Sequence, residues 1–219
     1  MRTLFVGDVH GCAAELRELI AAAQADRVVL VGDLFTKGPD PVGVWQAVRS
    51  SSAIAVLGNH DARLLQCLRG EREDDRHARS VVERLDAGAL GWRNWVMSLP
   101  VFRRVAGMTV VHAGLHPSGD LERTSRQMAL SMRRWPERSD APLWHSLYRG
   151  SRRVVFGHDA RRGLVRVERD GVPWVIGLDT GCVYGGALSG WLAEEDRLLQ
   201  VAAKAVYRPV KARRVVRRD

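Results

Sequence analysis

Polar residues that could do chemistry follow six short apolar runs of the chain, at the points where the runs end. The corners read GDVHG, GD, GNHD, HAG, GHDA and GLDTGC. Their candidate functional residues are Asp8, His10, Asp33, Asn59, His60, His112 and His158. A single histidine is more often a hydrogen-bonded core residue than a ligand. Four of the seven histidines of the chain nevertheless lie at these corners, and this joint occurrence favours one shared site.

The chemistry of these side chains favours a metal site with two ions. Oxygen and imidazole ligands without thiolate suit manganese, iron, zinc or nickel, and six candidate ligands exceed what one open catalytic ion needs. Asp33 is the candidate bridge, because the two oxygens of one carboxylate can bind ions about 4 Å apart. The other ligands divide into a pair and a trio: Asp8 with His10, and Asn59 with His112 and His158. Water held between two dications attacks phosphate directly, so no covalent intermediate is required.

Three further residues lie beside these ligands. His60 follows Asn59 and cannot face the same ion, so it could protonate a leaving oxygen or stabilise charge on the phosphoryl group. Asp61 either orients His60 or is the N-cap of the following helix. Lys37 comes four residues after Asp33 and could meet a phosphate oxygen, although a solvated surface lysine is the alternative.

The elements that position these residues are predicted from hydrophobic patterning. Continuous apolar runs suit strands that are buried on both faces, and side chains at neighbouring strand ends of an α/β sheet converge on one crevice. The segment AAELRELIAAAQA has helical spacing and predicts a βαβ unit. A second crossover helix is expected with Asp40 as N-cap and Pro41 as its first residue. ALSGWLA and RLLQVAA predict a hairpin.

The remaining segments are predicted to lie around this sheet. Residues 62–107 are expected to form a mostly helical insertion over the sheet rather than part of its core. Residues 117–150 are expected to form loops around the site. Trp92, Trp95, Trp135 and Trp144 fall in these segments, where one or two could stack on a base, although core packing is the commoner fate of tryptophan.

Composition predicts one soluble domain. The 219 residues are 46% hydrophobic, and no apolar stretch approaches the roughly 18 residues of a membrane span, so we expect a cytoplasmic protein. Cys12, Cys67 and Cys182 are widely separated, which indicates neither a disulfide framework nor a thiolate zinc site. The predicted boundaries are 1–203 for the catalytic domain and 204–219 for a basic tail. The sequence contains no signal from which an oligomeric state can be predicted.

The net charge of +9 is concentrated in this tail, which has seven basic residues and one acidic residue. Such an excess favours a polyanionic partner, nucleic acid or polyphosphate. A charge run at a chain end is, however, usually only solvated.

Together, the motifs GDVHG, GD…KGPD, GNHD, VHAG and GHDA resemble those of the calcineurin-like metallophosphoesterases, from Thr3 to about Ala202. LDTGCVYGGALS is similar to the late motif of their symmetrical bis(5'-nucleosyl)-tetraphosphatase branch. The resemblance implies a four-layer α/β/β/α sandwich and a hydrolase that cleaves diadenosine tetraphosphate into two ADP. It also implies two divalent ions, with manganese expected and iron, zinc, nickel or cobalt as alternatives. The metal roles then fall on the six ligands above, the catalytic imidazole on His60, and substrate contacts on Lys37 and Tyr184.

One departure bears on the substrate. The serine/threonine phosphatases of this superfamily have DRG where this chain has Thr36, Lys37 and Gly38. The absence of that aspartate weakens the case for phosphoprotein hydrolysis. Lysine in place of the arginine of DRG cannot form two parallel hydrogen bonds to a phosphate. Lysine there is typical of a eukaryotic-like branch that includes enzymes of capped RNA or polyphosphate. The alternatives are a phosphoprotein phosphatase, a broad phosphomonoesterase or polyphosphatase, and a non-catalytic polyanion-binding protein.

Overall fold

Two five-stranded mixed sheets form the centre of the fold, in a computed structural model that describes residues 1–72 and 74–209. The strands are β1 (Thr3–Val6), β2 (Arg27–Leu30), β3 (Ile54–Ala55), β4 (Phe102–Val105), β5 (Met108–Val111), β6 (Arg153–Phe156), β7 (Val165–Arg169), β8 (Val172–Gly177), β9 (Ala187–Leu192) and β10 (Arg197–Ala202). The helices are α1 (Ala13–Ala23), α2 (Pro41–Ser50), α3 (Asn59–Leu68), α4 (Arg76–Gly88), α5 (Trp92–Met97) and α6 (Arg126–Ser131).

The strand order explains why the polar corners meet. The first sheet has the order β10-β9-β1-β2-β3, with β1, β2 and β3 parallel. The second has the order β4-β5-β6-β8-β7, with β5, β6 and β8 parallel. All six predicted strands are among these parallel strands, so their carboxyl ends lie at corresponding edges of the two sheets.

Side chains that alternate along the strands separate the layers. Leu4 and Val6 of β1 belong to the apolar cluster under α1 and α2, whereas Phe5 belongs to the cluster between the sheets. A third cluster, with Trp144 and Met128, covers the outer face of the second sheet. These clusters define helix, sheet, sheet and helix layers, and they confirm the predicted four-layer sandwich.

The predicted crossover helices are present. β1 and β2 are parallel and joined by α1, which confirms the βαβ unit. Asp40 caps α2 by accepting a hydrogen bond from the Gly43 N–H at 2.8 Å, and Pro41 is the first helical residue. The predicted hairpin is β9 with β10, paired antiparallel.

Residues 62–107 contain most of α3, all of α4 and α5, and strand β4. The expectation that this stretch lies outside the core is wrong. Leu64, Leu85 and Trp92 are buried in the same cluster as α1 and α2. The apolar faces of these helices are narrow stripes between many charges, and the stripes complete the layer over the first sheet.

The end of the described chain packs on the body of the protein. The backbone N–H of Lys204 and the hydroxyl of Tyr207 both donate to Glu15 Oε1, at 2.9 and 2.8 Å. The Arg208 N–H donates to the Val183 carbonyl at 2.9 Å. The start of the predicted tail is therefore docked, while residues 210–219 lie outside the described residues. No helix in the described ranges is long and apolar enough to cross a bilayer.

Candidate active site

The six predicted ligands meet where the carboxyl ends of β1, β2, β3, β5 and β6 converge. Asp8 and His10 follow β1, and Asp33 follows β2. Asn59 is the first residue of α3, after β3. His112 and His158 follow β5 and β6 in the second sheet. The site therefore lies where the two sheets face each other.

The two carboxylate oxygens of Asp33 face different imidazoles. Asp33 Oδ1 lies 3.5 Å from His112 Nε2, and Asp33 Oδ2 lies 3.4 Å from His10 Nε2. Ligand atoms of Asp8, Asp33 and His112 all lie within 4.8 Å of one another, and so do those of His10, Asp33 and His60. Asp33 is common to both groups, which is the position that a bridging carboxylate requires.

On one side of Asp33, the amide oxygen of Asn59 lies between two imidazoles. Asn59 Oδ1 is 3.0 Å from His112 Nε2 and 3.2 Å from His158 Nδ1. His112 Nδ1 is 2.9 Å from the Val31 carbonyl. Because that carbonyl can only accept, Nδ1 carries the proton and Nε2 keeps its lone pair for a ligand role.

His158 Nε2 is a buried nitrogen with no hydrogen-bond partner among the described residues. The backbone N–H of the same residue donates to Asp8 Oδ1 at 3.0 Å. The other ring nitrogen, Nδ1, is the one that faces the Asn59 amide oxygen. An imidazole nitrogen beside carboxylate and amide oxygens is part of a donor set that fits a divalent ion.

On the other side of Asp33 lies His10. His10 Nδ1 is 3.2 Å from Thr36 Oγ1, and His10 Nε2 is 2.8 Å from the ammonium of Lys37. Asp8 Oδ2 is 3.9 Å from His10 Nε2. Since an ammonium can only donate, Nε2 accepts from Lys37 through its lone pair, and the same lone pair would bind a divalent ion once the ammonium moves away.

The backbone is strained at the site. His10, Asp33, Lys37 and His158 have φ values of 45°, 53°, 68° and 72° in the left-handed region, which non-glycine residues rarely adopt. Close packing also demands glycine at position 58, where a Cβ atom would lie 2.3 Å from Asp33 Oδ1. Such strain persists where surrounding contacts fix the geometry, as they do at functional sites.

Burial is the largest influence on the pKa values of the site. It raises the pKa of Asp33 to about 6 and that of Asp8 well above its ordinary value. It lowers the pKa of His112 to about 4 and that of His158 to about 2. The imidazoles are therefore neutral near pH 7. Buried carboxylates beside neutral imidazoles are poorly solvated as anions, and cations would offset that cost.

His60 points toward the His10 side, with ring centroids 5.1 Å apart and nearly perpendicular planes. Its backbone N–H donates to Asp33 Oδ1 at 2.8 Å. Burial, followed by the nearby charge of Lys37, lowers the pKa of the His60 imidazole to about 2. The imidazole is therefore a neutral donor and acceptor at neutral pH.

Asp61 is not the N-cap residue of α3, but it caps the helix from the third position by accepting from the Gly58 N–H. It is the third residue of α3, and its buried carboxylate accepts from the backbone N–H groups of Asp33 (2.8 Å), Leu34 (2.9 Å) and Gly58 (3.1 Å). The predicted N-cap position belongs to Gly58. Asp61 thus holds the Asp33 loop onto the start of α3.

The two predicted substrate contacts lie together. The Lys37 ammonium lies 5.4 Å from the centre of the half-buried Tyr184 ring. The Lys37 N–H donates to His77 Nε2 at 3.0 Å, so α4 holds the lysine loop. No local pattern pointed to His77, because its partner is a backbone group 40 residues away.

Sequence reasoning also missed two arginines and an aspartate. Arg63 of α3 and Arg133 after α6 both lower the pKa of Asp33 by their charge, after the larger effects of burial, Lys37 and the His60 N–H. Arg133 Nε lies 3.3 Å from Asp159 Oδ1, beside the His158 corner. Asp179 of the GLDTGC corner is buried, and its charge raises the pKa of Asp8, second to burial. The corner position of Asp179 was a signal that could have identified it.

Two of the four tryptophans considered for base stacking are core residues. Trp92 and Trp144 are 2% and 1% exposed. Trp95 packs on Trp45, with ring centroids 5.5 Å apart, and Trp135 packs on His116 at 4.7 Å. Trp92 and Trp144 therefore cannot stack on a base.

Residues 1–200 match the family described as calcineurin-like phosphoesterase. Among curated proteins, the symmetrical bis(5'-nucleosyl)-tetraphosphatase of Edwardsiella ictaluri is 30% identical over 97% of this chain and 100% of the relative. The protein of the same name from Bordetella pertussis is 28% identical over 93% of this chain and 96% of its own length.

Solved structures show the same similarity. A crystal structure of a candidate diadenosine tetraphosphatase superposes with a TM-score of 0.78 at 35% identity, covering 92% of this chain and 93% of that one. A metallophosphoesterase from Sphaerobacter thermophilus has a TM-score of 0.59 at 17% identity, covering 93% of this chain and 88% of that one. The second match shows the fold alone.

Proposed function

Because the chain belongs to the calcineurin-like phosphoesterase family, we propose that this hydrolase cleaves diadenosine tetraphosphate symmetrically into two ADP. The observation that carries the proposal is the Asp33 carboxylate, whose two oxygens lie 3.5 and 3.4 Å from imidazoles on opposite sides. The names of the Edwardsiella and Bordetella relatives support this substrate.

The family uses a dinuclear divalent metal site, and the donors of this chain fit one. We assign Asp8, His10 and Asp33 to one ion, and Asp33, Asn59, His112 and His158 to the other. Manganese is the proposed native ion, because three of the six ligand residues supply hard oxygen donors and none of the six is a cysteine. Bound divalent ions supply an acidified water as nucleophile and neutralise phosphate charge.

The side chains around the ligands position the phosphates. Lys37, Arg63 and Arg133 bring positive charge to Asp33 from three different elements of the fold. A chain of four phosphates carries several negative charges, and a cationic rim matches it better than it matches a single phosphomonoester. Tyr184, beside Lys37, offers a ring face to the substrate.

We assign His60 the role of donating an N–H hydrogen bond to the phosphoryl group or leaving oxygen. Its neutral imidazole, with a pKa near 2, favours charge stabilisation by a neutral donor over transfer of a proton from an imidazolium. Asp61 does not orient it, because that carboxylate is occupied by three backbone N–H groups.

Product analysis tests this proposal. Manganese-loaded protein incubated with diadenosine tetraphosphate should yield ADP alone, and the Asp33→Asn variant should yield no product. AMP with ATP would refute symmetrical attack. Faster turnover of a phosphopeptide than of the dinucleotide would identify a phosphoprotein phosphatase instead.

Two further proposals concern the setting of the enzyme. Cys12, Cys67 and Cys182 are free thiols, which supports a reducing compartment such as the cytoplasm. Binding of RNA or polyphosphate through residues 204–219 stays a prediction, and a truncation at residue 209 would test it by loss of RNA affinity.

A further inference from the structure

A second group of possible ligands begins at Cys12, directly after the GDVHG corner. Cys12 directly precedes α1, Glu15 is in the first turn of α1, and Cys182 begins the 3₁₀ turn Cys182–Tyr184. One ligand atom from each of these residues lies within 4.8 Å of the other two. Cys12 and Glu15 are 0% exposed and Cys182 is 1% exposed. The sequence indicated no thiolate site, because 170 residues separate the two cysteines.

The carboxylate of this group is only half satisfied. Glu15 Oε1 accepts from the Lys204 N–H and the Tyr207 hydroxyl. Glu15 Oε2 is buried and has no hydrogen-bond partner in the described part of the chain. A buried carboxylate oxygen without a partner costs free energy, so a missing group is expected beside it.

We propose that Cys12, Glu15 and Cys182 bind one thiophilic divalent cation, with zinc as the best match. Cysteine sulfur and carboxylate oxygen are both zinc ligands, with Zn–S distances of about 2.3 Å. A tetrahedral ion at that distance holds two sulfurs roughly 3.8 Å apart, which is compatible with ligand atoms that lie within 4.8 Å of one another. On binding, the two thiols release their protons to solvent, two Zn–S bonds form, and both oxygens of Glu15 bind the ion to complete four coordination.

Such an ion would connect three segments of the chain. Cys12 follows the His10 corner, Cys182 begins the turn that carries Tyr184, and Glu15 holds the docked segment at Lys204 and Tyr207. The cation would therefore fix the Tyr184 turn to the GDVHG corner. Its role is structural, since a closed, buried site leaves no room for a substrate.

Cobalt tests the site, because thiolate-to-cobalt charge transfer absorbs in the near ultraviolet and the candidate active site contains no thiolate. Full-length protein expressed with Co²⁺ as the added metal should show this band and bind three metal equivalents. The Cys12→Ser/Cys182→Ser variant should lose the band and one equivalent. Cys67→Ser is the matched control, because Cys67 lies outside the group, with its Sγ 3.4 Å from the Arg72 carbonyl. This variant should keep the charge-transfer band and all three metal equivalents.

The thiolate band is independent of the proposed function, whereas the count of three equivalents includes the two proposed active-site ions. Asp33→Asn should lose the active-site ions and keep the thiolate band. Wild-type protein without the band would overturn the proposal, and so would a band that survives in the double serine variant. If the double variant fails to fold, the wild-type spectrum decides. Thiol titration of the denatured protein that finds one free thiol would show a disulfide between Cys12 and Cys182, which also overturns it.

Discussion

Asp61→Asn should destabilise the protein and weaken the candidate metal site together. The Asp61 carboxylate accepts three backbone N–H bonds, two at Oδ2 from Asp33 and Gly58 and one at Oδ1 from Leu34. An asparagine has one acceptor oxygen, so in either orientation its NH₂ group faces at least one N–H. If the asparagine oxygen takes the Oδ2 position, the hydrogen bond from Leu34 is lost, and the buried Leu34 N–H has no acceptor. Losing such a bond to a charged acceptor costs about 2–3 kcal/mol.

For a domain of this size, that loss corresponds to a fall in Tm of about 4–12 °C. Asp33 lies in the left-handed region at φ 53°, and without the Asp61 bonds it should relax from that conformation and bind divalent ions more weakly. Thermal unfolding and manganese titration measure the two effects. Asp75→Asn is the matched control, because Asp75 caps α4 at the surface and asparagine caps equally well. Unchanged Tm and manganese affinity in Asp61→Asn would refute the assigned role.

The remaining predictions concern His60, Lys37 and pH. His60→Asn should retain the metal content of the wild type and lower kcat by roughly 10²–10⁴, as metal analysis and steady-state kinetics would show; an unchanged kcat would remove His60 from the mechanism. Lys37→Met should lower kcat/KM by about 10–100-fold, because a hydrogen bond between an ammonium and a phosphate is lost. The control is Lys204→Met, which removes a surface lysine paired with Glu18 and should leave kcat/KM unchanged. Equal effects of the two variants would contradict the role of Lys37. Because burial raises the pKa of Asp33 to about 6, protons compete with cations below that pH. Manganese affinity should therefore fall about tenfold from pH 7 to pH 5, and calorimetry that finds constant affinity over this range would contradict that pKa.

The sequence predicted the parts of the fold that local patterning determines. β1 and β2 are uninterrupted apolar runs, and each ends in a glycine and an aspartate. That pattern predicted both the strands and the meeting of Asp8 with Asp33. β4 and β7 were missed because charged residues interrupt them, as FRRV and VRVER. They are antiparallel strands at the edges of the second sheet, where one face meets solvent.

The parts of the site that were missed depend on contacts that no local pattern records. Asp61 looked like a helix cap, and only the fold brings the N–H groups of Asp33 and Leu34 to it. Cys12 and Cys182 have no motif spacing, and they meet because α1 and the Cys182–Tyr184 turn pack together. His77 contacts the lysine loop through a single side-chain bond to its backbone. Long-range packing places these residues, whereas local strand ends place the six candidate ligands.

Anomalous scattering from crystals grown with manganese tests the central claim most directly. The claim is that the Asp33 carboxylate lies between two divalent ions, one on the His10 side and one on the His112 side. Two anomalous peaks about 4 Å apart, flanking Asp33 and both absent in Asp33→Asn crystals, are the predicted result. A single peak, or peaks that do not contact Asp33, would contradict the claim.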